Sequence, residues 1–142
     1  MELGHVLLGA AAALRAHRRA LSSVVGNLSS TEYAVVAFTA LHPCATPGAI
    51  AAAHDLSTGA VSACVDRLAG RGLVERRPDP TDGRRIRIVL TSRSVAAIDA
   101  ADGVVCGAAD RAAARLGQRD GTAILSMAAA ALDQLAGELP RT

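Results

Sequence analysis

The sequence predicts a mainly α-helical chain with one small β-hairpin, arranged as a winged helix-turn-helix flanked by longer helices. Two short helical stretches, 47–54 and 58–71, are joined by about three residues, which is the spacing of a helix-turn-helix. Two β-prone segments, Leu73 to Arg77 and Arg85 to Leu90, follow at once. They bracket the turn-forming run Pro78-Asp79-Pro80-Thr81-Asp82-Gly83-Arg84, as in a hairpin. Leucines recur seven apart near the start, at Leu7, Leu14, Leu21 and Leu28, the mark of an amphipathic helix.

The first helix is expected from Leu3 to Val25. Its leucine stripe, with Leu3 and Val24 near the same line, either packs on the chain's own core or forms a seam with a second chain. Ser29 and Glu32 have capping-box spacing and open a second helix. That helix ends near His42-Pro43, because the residue before a proline is pushed out of the helical region. Thr46 then supplies an N-cap and Pro47 the first helical position of a third helix, which runs to about His54. Asp55-Leu56-Ser57 interrupts. Ser57 caps a fourth helix to about Arg71, and Gly72 ends it as a C-terminal glycine does. After the hairpin, Thr91 or Ser92 caps a long alanine-rich helix to about Leu116, with Gly103 and Gly107 as weak points. Residues 117–121 break the pattern. Ile124, Leu125, Ala128, Leu132, Leu135 and Leu139 mark a last amphipathic helix, and no internal repeat is visible.

The 142 residues are enough for one domain, 1–142, and too few for a second independent core. With a single Tyr, a single Phe and no Trp, Ala, Leu and Val must fill the interior, which favours closely packed helices. The net charge of +2 is uneven: residues 66–93 hold eight arginines against four acids, and the rest of the chain is net acidic. Such a basic segment is either a phosphate-facing surface or an ordinary solvated one. All the basic residues are arginine, so arginine richness by itself points to compositional bias. Cys44, Cys64 and Cys106 are odd in number and far apart, which indicates neither a disulfide framework nor a zinc site. The apolar stretch from Val6 to Leu14 lacks a basic segment before it, and charges or glycines interrupt every longer apolar run. A soluble protein of the reducing cytoplasm is expected, with no membrane partner.

The run from Val65-Asp66-Arg67-Leu68 through Gly72-Leu73-Val74-Glu75-Arg76-Arg77-Pro78-Asp79-Pro80-Thr81-Asp82-Gly83-Arg84-Arg85, followed by Leu90-Thr91, closely resembles the recognition-helix-to-wing signature of the bacterial MarR family of transcriptional regulators. Leu28-Ser29-Ser30-Thr31-Glu32-Tyr33 and Thr46-Pro47-Gly48-Ala49-Ile50-Ala51 look like that family's second and third helices. The resemblance covers about residues 28–91. It implies a DNA-binding lobe there and a helical dimerisation region at about 1–27 and 92–142. By the same resemblance, the homodimer places each recognition helix in a major groove of double-stranded DNA and each wing in a neighbouring minor groove. Ser57, Thr58, Gly59 and Ser62 would face DNA, and Arg84 would be the wing-tip arginine, with Asp82 beside it. The resemblance further implies a repressor on a pseudo-palindromic operator. It also implies a small-molecule effector, such as an aromatic acid or similar lipophilic compound, held between the dimer helices and the DNA-binding lobe.

The residues read directly agree with that placement. On a helix that starts after Ser57, Val61, Cys64, Val65 and Leu68 share one face and belong to the core. Thr58, Gly59, Ser62, Ala63 and Asp66 then point outward. Small hydroxyl residues beside free helix N-terminal amides suit close approach to phosphates and base edges, although Ser57 and Thr58 also suit simple capping. Arg84 and Arg85 are either DNA contacts or a solvated loop tip, and Asp82 can order Arg84 through a charge-assisted hydrogen bond. Arg67 and Arg71 either touch backbone phosphate or pair with Asp66 or Glu75. No catalytic constellation accompanies the scattered His5, His17, His42 and His54, so neither an enzyme nor a cofactor is expected. The rival reading is a winged helix used for protein contacts without DNA. Cys64 is expected as inert core, Cys44 as exposed and Cys106 on the long helix. Tyr33 and Phe38 line an effector site or belong to the core.

Overall fold

A computed structural model describes residues 3–115, with side-chain surroundings from residue 8 onward. The elements run α1 (Leu3–Val25), α2 (Ser30–Leu41), α3 (Pro47–His54), α4 (Thr58–Gly70), β1 (Val74–Pro78), β2 (Ile86–Leu90) and α5 (Ser92–Arg115). The mainly α fold with a β-hairpin wing is therefore as the sequence indicates. The expected last helix, Ile124 to Leu139, and the side chains of Leu3 and Leu7 lie outside the described residues.

The helix boundaries have local causes. Ser29 Oγ accepts from the Glu32 N–H at 3.1 Å and Glu32 Oε2 accepts from the Ser29 N–H at 2.9 Å, a complete capping box. Thr46 Oγ1 and Ser57 Oγ cap α3 and α4 by accepting from Ala49 N and Ala60 N, both at 3.1 Å. Helix α3 stops at Asp55, which turns left-handed at φ 52°, a conformation aspartate tolerates better than most residues. Gly72, at φ 69°, ends α4: its N–H reaches Ala69 O at 2.9 Å and the Leu73 N–H reaches Leu68 O at 3.0 Å. This is a Schellman motif, and Leu68 and Leu73, both buried, close its apolar contact.

The chain divides into two compact units, one of them Leu21–Asp99 and the other holding the residues on either side. In the first unit, Leu21, Leu28, Val35, Ile50, Val61, Val65, Leu68, Leu73 and Ile88 are essentially fully buried and form the core. β1 and β2 are antiparallel, with Val74 opposite Leu90 and Arg76 opposite Ile88. The period of two puts Val74 and Ile88 on the inner face. The link between α2 and α3 joins the sheet through one bond, from the Ile88 N–H to Ala45 O at 2.7 Å. Thr91 fastens the start of α5 to the turn after α4. Its Oγ1 donates to Gly72 O at 2.9 Å and accepts from the Ser94 N–H at 3.3 Å, while Ser94 Oγ donates to Leu73 O at 2.6 Å. Of the two capping candidates, Thr91 is the one used.

The leucine stripe of α1 splits. Leu21 is buried in the first unit, as is Leu28 just beyond the helix end. In the second unit the apolar side chains Leu8 (67%), Leu14 (58%) and Val104 (56%) are open to solvent. His17 Nε2 and Asp102 Oδ1 meet at 2.8 Å between α1 and α5 of that unit. Tyr33 is buried. Phe38 is half-buried, with His42 tilted over it at 4.1 Å and His54 edge-on at 5.7 Å. No described helix is long and apolar enough to cross a membrane.

Candidate nucleic-acid interface

Helix α4 divides into two faces. Val61, Cys64, Val65 and Leu68 are 0% exposed, whereas Ser57, Thr58, Gly59, Ser62, Ala63 and Asp66 are open to solvent. A side chain at Gly59 would meet nothing within 4 Å, so backbone is what this surface presents at that point. Ser57 spends an acceptor on its cap and keeps its O–H donor free for an outside partner. The first turn of α4 thus offers hydroxyls, a bare backbone segment and helix N-terminal amides, a combination suited to phosphate and base edges.

The wing tip is built by two aspartates. Asp79 Oδ1 accepts from the Thr81 hydroxyl at 2.6 Å, the Thr81 N–H at 2.8 Å and the Asp82 N–H at 3.3 Å. The Thr81 hydroxyl, then its N–H, hold the Asp79 carboxyl below the usual range. Asp82 Oδ1 accepts from the Arg84 N–H at 3.1 Å, and the Asp82 carbonyl accepts from the Arg85 N–H at 2.9 Å. The structure thereby corrects one expectation: Asp82 orders the backbone at Arg84 and leaves the guanidinium alone. A carboxylate two residues away closes an Asx-type turn more readily than it reaches the end of a long side chain. The side chains of Arg84 and Arg85 have no partner among the described residues, so both cations stand free on a fixed turn.

This geometry can be set beside known proteins. The model of the MarR family matches residues 26–85. That segment, a winged helix-turn-helix in the structure, is similar to the MarR family. Solved structures extend the likeness beyond the lobe. The chain is 20% identical to RV1404 from Mycobacterium tuberculosis, with a TM-score of 0.67, covering 98% of this chain and 94% of that one. It is 25% identical to CouR from Rhodococcus jostii, solved with p-coumaroyl-CoA, with a TM-score of 0.61 over 93% and 89% of the two chains. A mutant E. coli MarR complexed with operator DNA is 25% identical, with a TM-score of 0.54 over 72% and 73%. No curated protein matches the chain by sequence.

Within this winged helix-turn-helix lobe, Arg67 on α4 and Arg71 at its C-cap meet neither of the two acids that the sequence offered them. Arg67 Nε and Arg71 Nη1 each lie 3.5 Å from Glu32, on Oε1 and Oε2 respectively, and neither pairs with Asp66 or Glu75. Arg71 Nη2 also donates to Val25 O at 3.1 Å, beside Gly26, where an added Cβ would stand 3.2 Å from that nitrogen. Glu32 therefore ties the start of α2 to α4 and its C-cap, and Arg71 carries the link on to the end of α1. Packing brings its carboxylate closer to these arginines than their neighbours in sequence come. Glu75 instead pairs with Arg77 at 2.7 Å.

Arg76 was not among the residues that the sequence singled out. Its Nη1 pairs with Asp66, and its Nη2 donates to Ser62 Oγ and Ser62 O, both at 3.3 Å. Strand alternation was the available signal, because it sets Arg76 on the inner face with Val74, toward α4. The cysteines divide as expected: Cys44 is exposed, Cys106 half-buried and Cys64 buried, where burial pushes the thiol up and keeps it protonated.

Proposed function

We propose that this chain is a transcriptional regulator that binds double-stranded DNA sequence-specifically as a homodimer. In this reading it is a repressor released by a small lipophilic effector. The observation that carries it is the pairing of an open, uncharged α4 face at Ser57, Thr58, Gly59 and Ser62 with a stapled wing whose Arg84 and Arg85 are free. Arg67, with more than half of its side chain exposed, keeps its outer nitrogens for a phosphate while Nε stays on Glu32. The operator complex of the E. coli relative supports the DNA partner, and the p-coumaroyl-CoA complex of CouR supports an effector. The exposed Leu8, Leu14 and Val104 support a dimerisation region outside residues 28–91.

Two-fold protein symmetry must be matched by the DNA, so selection from random duplexes is expected to return a pseudo-palindrome with half-sites about 10 base pairs apart. Affinity should fall steeply with salt. Salt-independent or absent binding would favour a winged helix used for protein contacts. The dimer has its own test. Thermal unfolding should shift upward with protein concentration, and a monomeric mass in sedimentation at micromolar protein, with melting unchanged on dilution, would refute it.

A further inference from the structure

We propose that Arg87, together with Arg85, binds the phosphate backbone at the outer rim of the groove that the wing enters, so that the DNA contact runs from the wing tip into β2. This rests on the DNA-binding reading above. The strand period of two puts Val74 and Ile88 on the inner face of the hairpin, and Glu75, Arg77, Arg87 and Val89 on the outer one. The Asp79 N–H donates to Arg85 O at 2.8 Å, so the ladder runs one pair further and brings Arg85 onto that outer face as well.

The charges on this face are unevenly matched. Arg77 and Arg87 stand directly opposite each other, and like charges so placed repel. Glu75 relieves one of them: its Oε2 accepts from Arg77 Nε at 3.0 Å and from Arg77 Nη2 at 2.7 Å. Asp79 is spent on Thr81 and the Asp82 N–H. Arg87 is left without a hydrogen bond or ion pair among the described residues. Its side chain is half-buried, and its Nε is the one side-chain nitrogen or oxygen among those residues that is shut away from water with no acceptor. Arg71, also half-buried, has both a carboxylate and a carbonyl. Within the chain, then, Arg87 brings a repulsion and an orphaned N–H and returns no polar contact, and an acceptor from outside is what would satisfy it.

Its position selects DNA phosphate as that acceptor. The minor groove is about 6 Å wide, so a hairpin whose tip enters it has a sugar-phosphate strand on each side. The strand nearer α4 lies toward the inner face, where Arg76 is held by Asp66 and Ser62. The strand beyond lies toward the outer face, where Arg85 and Arg87 are both unpaired. Arg87 stands two residues, about 7 Å, behind Arg85 along the strand. An extended arginine side chain covers that distance, so both guanidinium groups come level with the same rim. Swung out of its cover, the Arg87 fork can donate two parallel bonds to one phosphate.

The test is binding by the full chain across a salt series, on a duplex that the parent selects from a random pool and on a scrambled one. Arg87→Met keeps the stem and removes the charge and the orphaned N–H together. It should weaken both duplexes by the same factor, roughly three- to tenfold at moderate salt, and flatten the salt dependence by about one unit per wing. Without DNA, the same variant should melt no lower than the parent, because a repulsion and an unpaired donor are gone. Arg87→Lys should restore the parent's salt slope. Glu75→Gln unmasks Arg77 beside the same phosphates, and it should tighten binding and steepen the slope. Arg87→Met with the parent's affinity and slope overturns the proposal. So does a loss confined to the selected duplex, because Arg87 would then read bases. A melting temperature well below the parent's overturns it too, since Arg87 would then hold the wing together. A parent that binds neither duplex overturns the DNA-binding reading instead.

Discussion

Glu32→Ala is expected to lower stability by about 2–4 kcal/mol. The carboxylate is nearly buried, with 11% of its side chain exposed, and it both caps α2 and meets Arg67 and Arg71. Losing its bond from the Ser29 N–H opens the capping box of α2 and costs about 1 kcal/mol. Losing its charge leaves Arg71, two-thirds buried, with only the Val25 carbonyl, and an uncompensated guanidinium accounts for most of the remainder. The Arg67 pair adds little, since its guanidinium is largely in water. Glu32→Gln keeps an acceptor for Ser29 and should lose less.

The pH dependence follows from the same contacts. The Ser29 N–H first, then the two guanidinium groups, hold the Glu32 carboxyl below its ordinary value of 4.5, against the opposing effect of burial. Because the folded value is depressed, the stabilisation is complete above the ordinary value and is lost as pH falls through the lower, folded one. Melting curves of the parent at fixed protein concentration should therefore drop more steeply on the acid side of 4.5 than those of Glu32→Gln. Parallel acid limbs in the two proteins would show that Glu32 is not paired in solution.

The second large effect is expected at the wing. Arg84→Ala together with Arg85→Ala should weaken DNA binding at least tenfold at moderate salt and flatten its salt dependence by about one unit for each phosphate-associated charge lost. The turn should survive, because its bonds run to the backbone N–H groups of both residues and not to their side chains. Melting like the parent's is the control. Asp82→Ala separates charge from order. It removes an acid from a DNA-facing loop, so charge alone would tighten binding, but it also frees the Arg84 N–H. Weaker binding by Asp82→Ala is the expected result, the sign of a wing that works because it is pre-formed. Binding by the double arginine variant equal to the parent's at several salt concentrations would leave α4 to carry the interaction alone.

The sequence by itself determined what depends on neighbours a few residues apart. Ser29 with Glu32, Thr46 with Pro47, Ser57, the glycine at 72 and the Asp79 to Arg85 turn each satisfy or deny backbone bonds within a few residues, so helix ends and hairpin were legible without any tertiary contact. Periodicity likewise separated the buried and open faces of α4. Tertiary structure decided which charges meet. Arg67 and Arg71 pair with a glutamate 35 and 39 residues away, Arg76 reaches back 14 residues to Ser62, and Ile88 takes its partner in the link at Ala45. Local sequence offered Arg67 and Arg71 the nearer acids Asp66 and Glu75, and nothing along the chain distinguishes these from Glu32. The choice belongs to packing: once Val61, Val65 and Leu68 are buried, the rotation of α4 is set, and with it the direction in which each remaining side chain can reach.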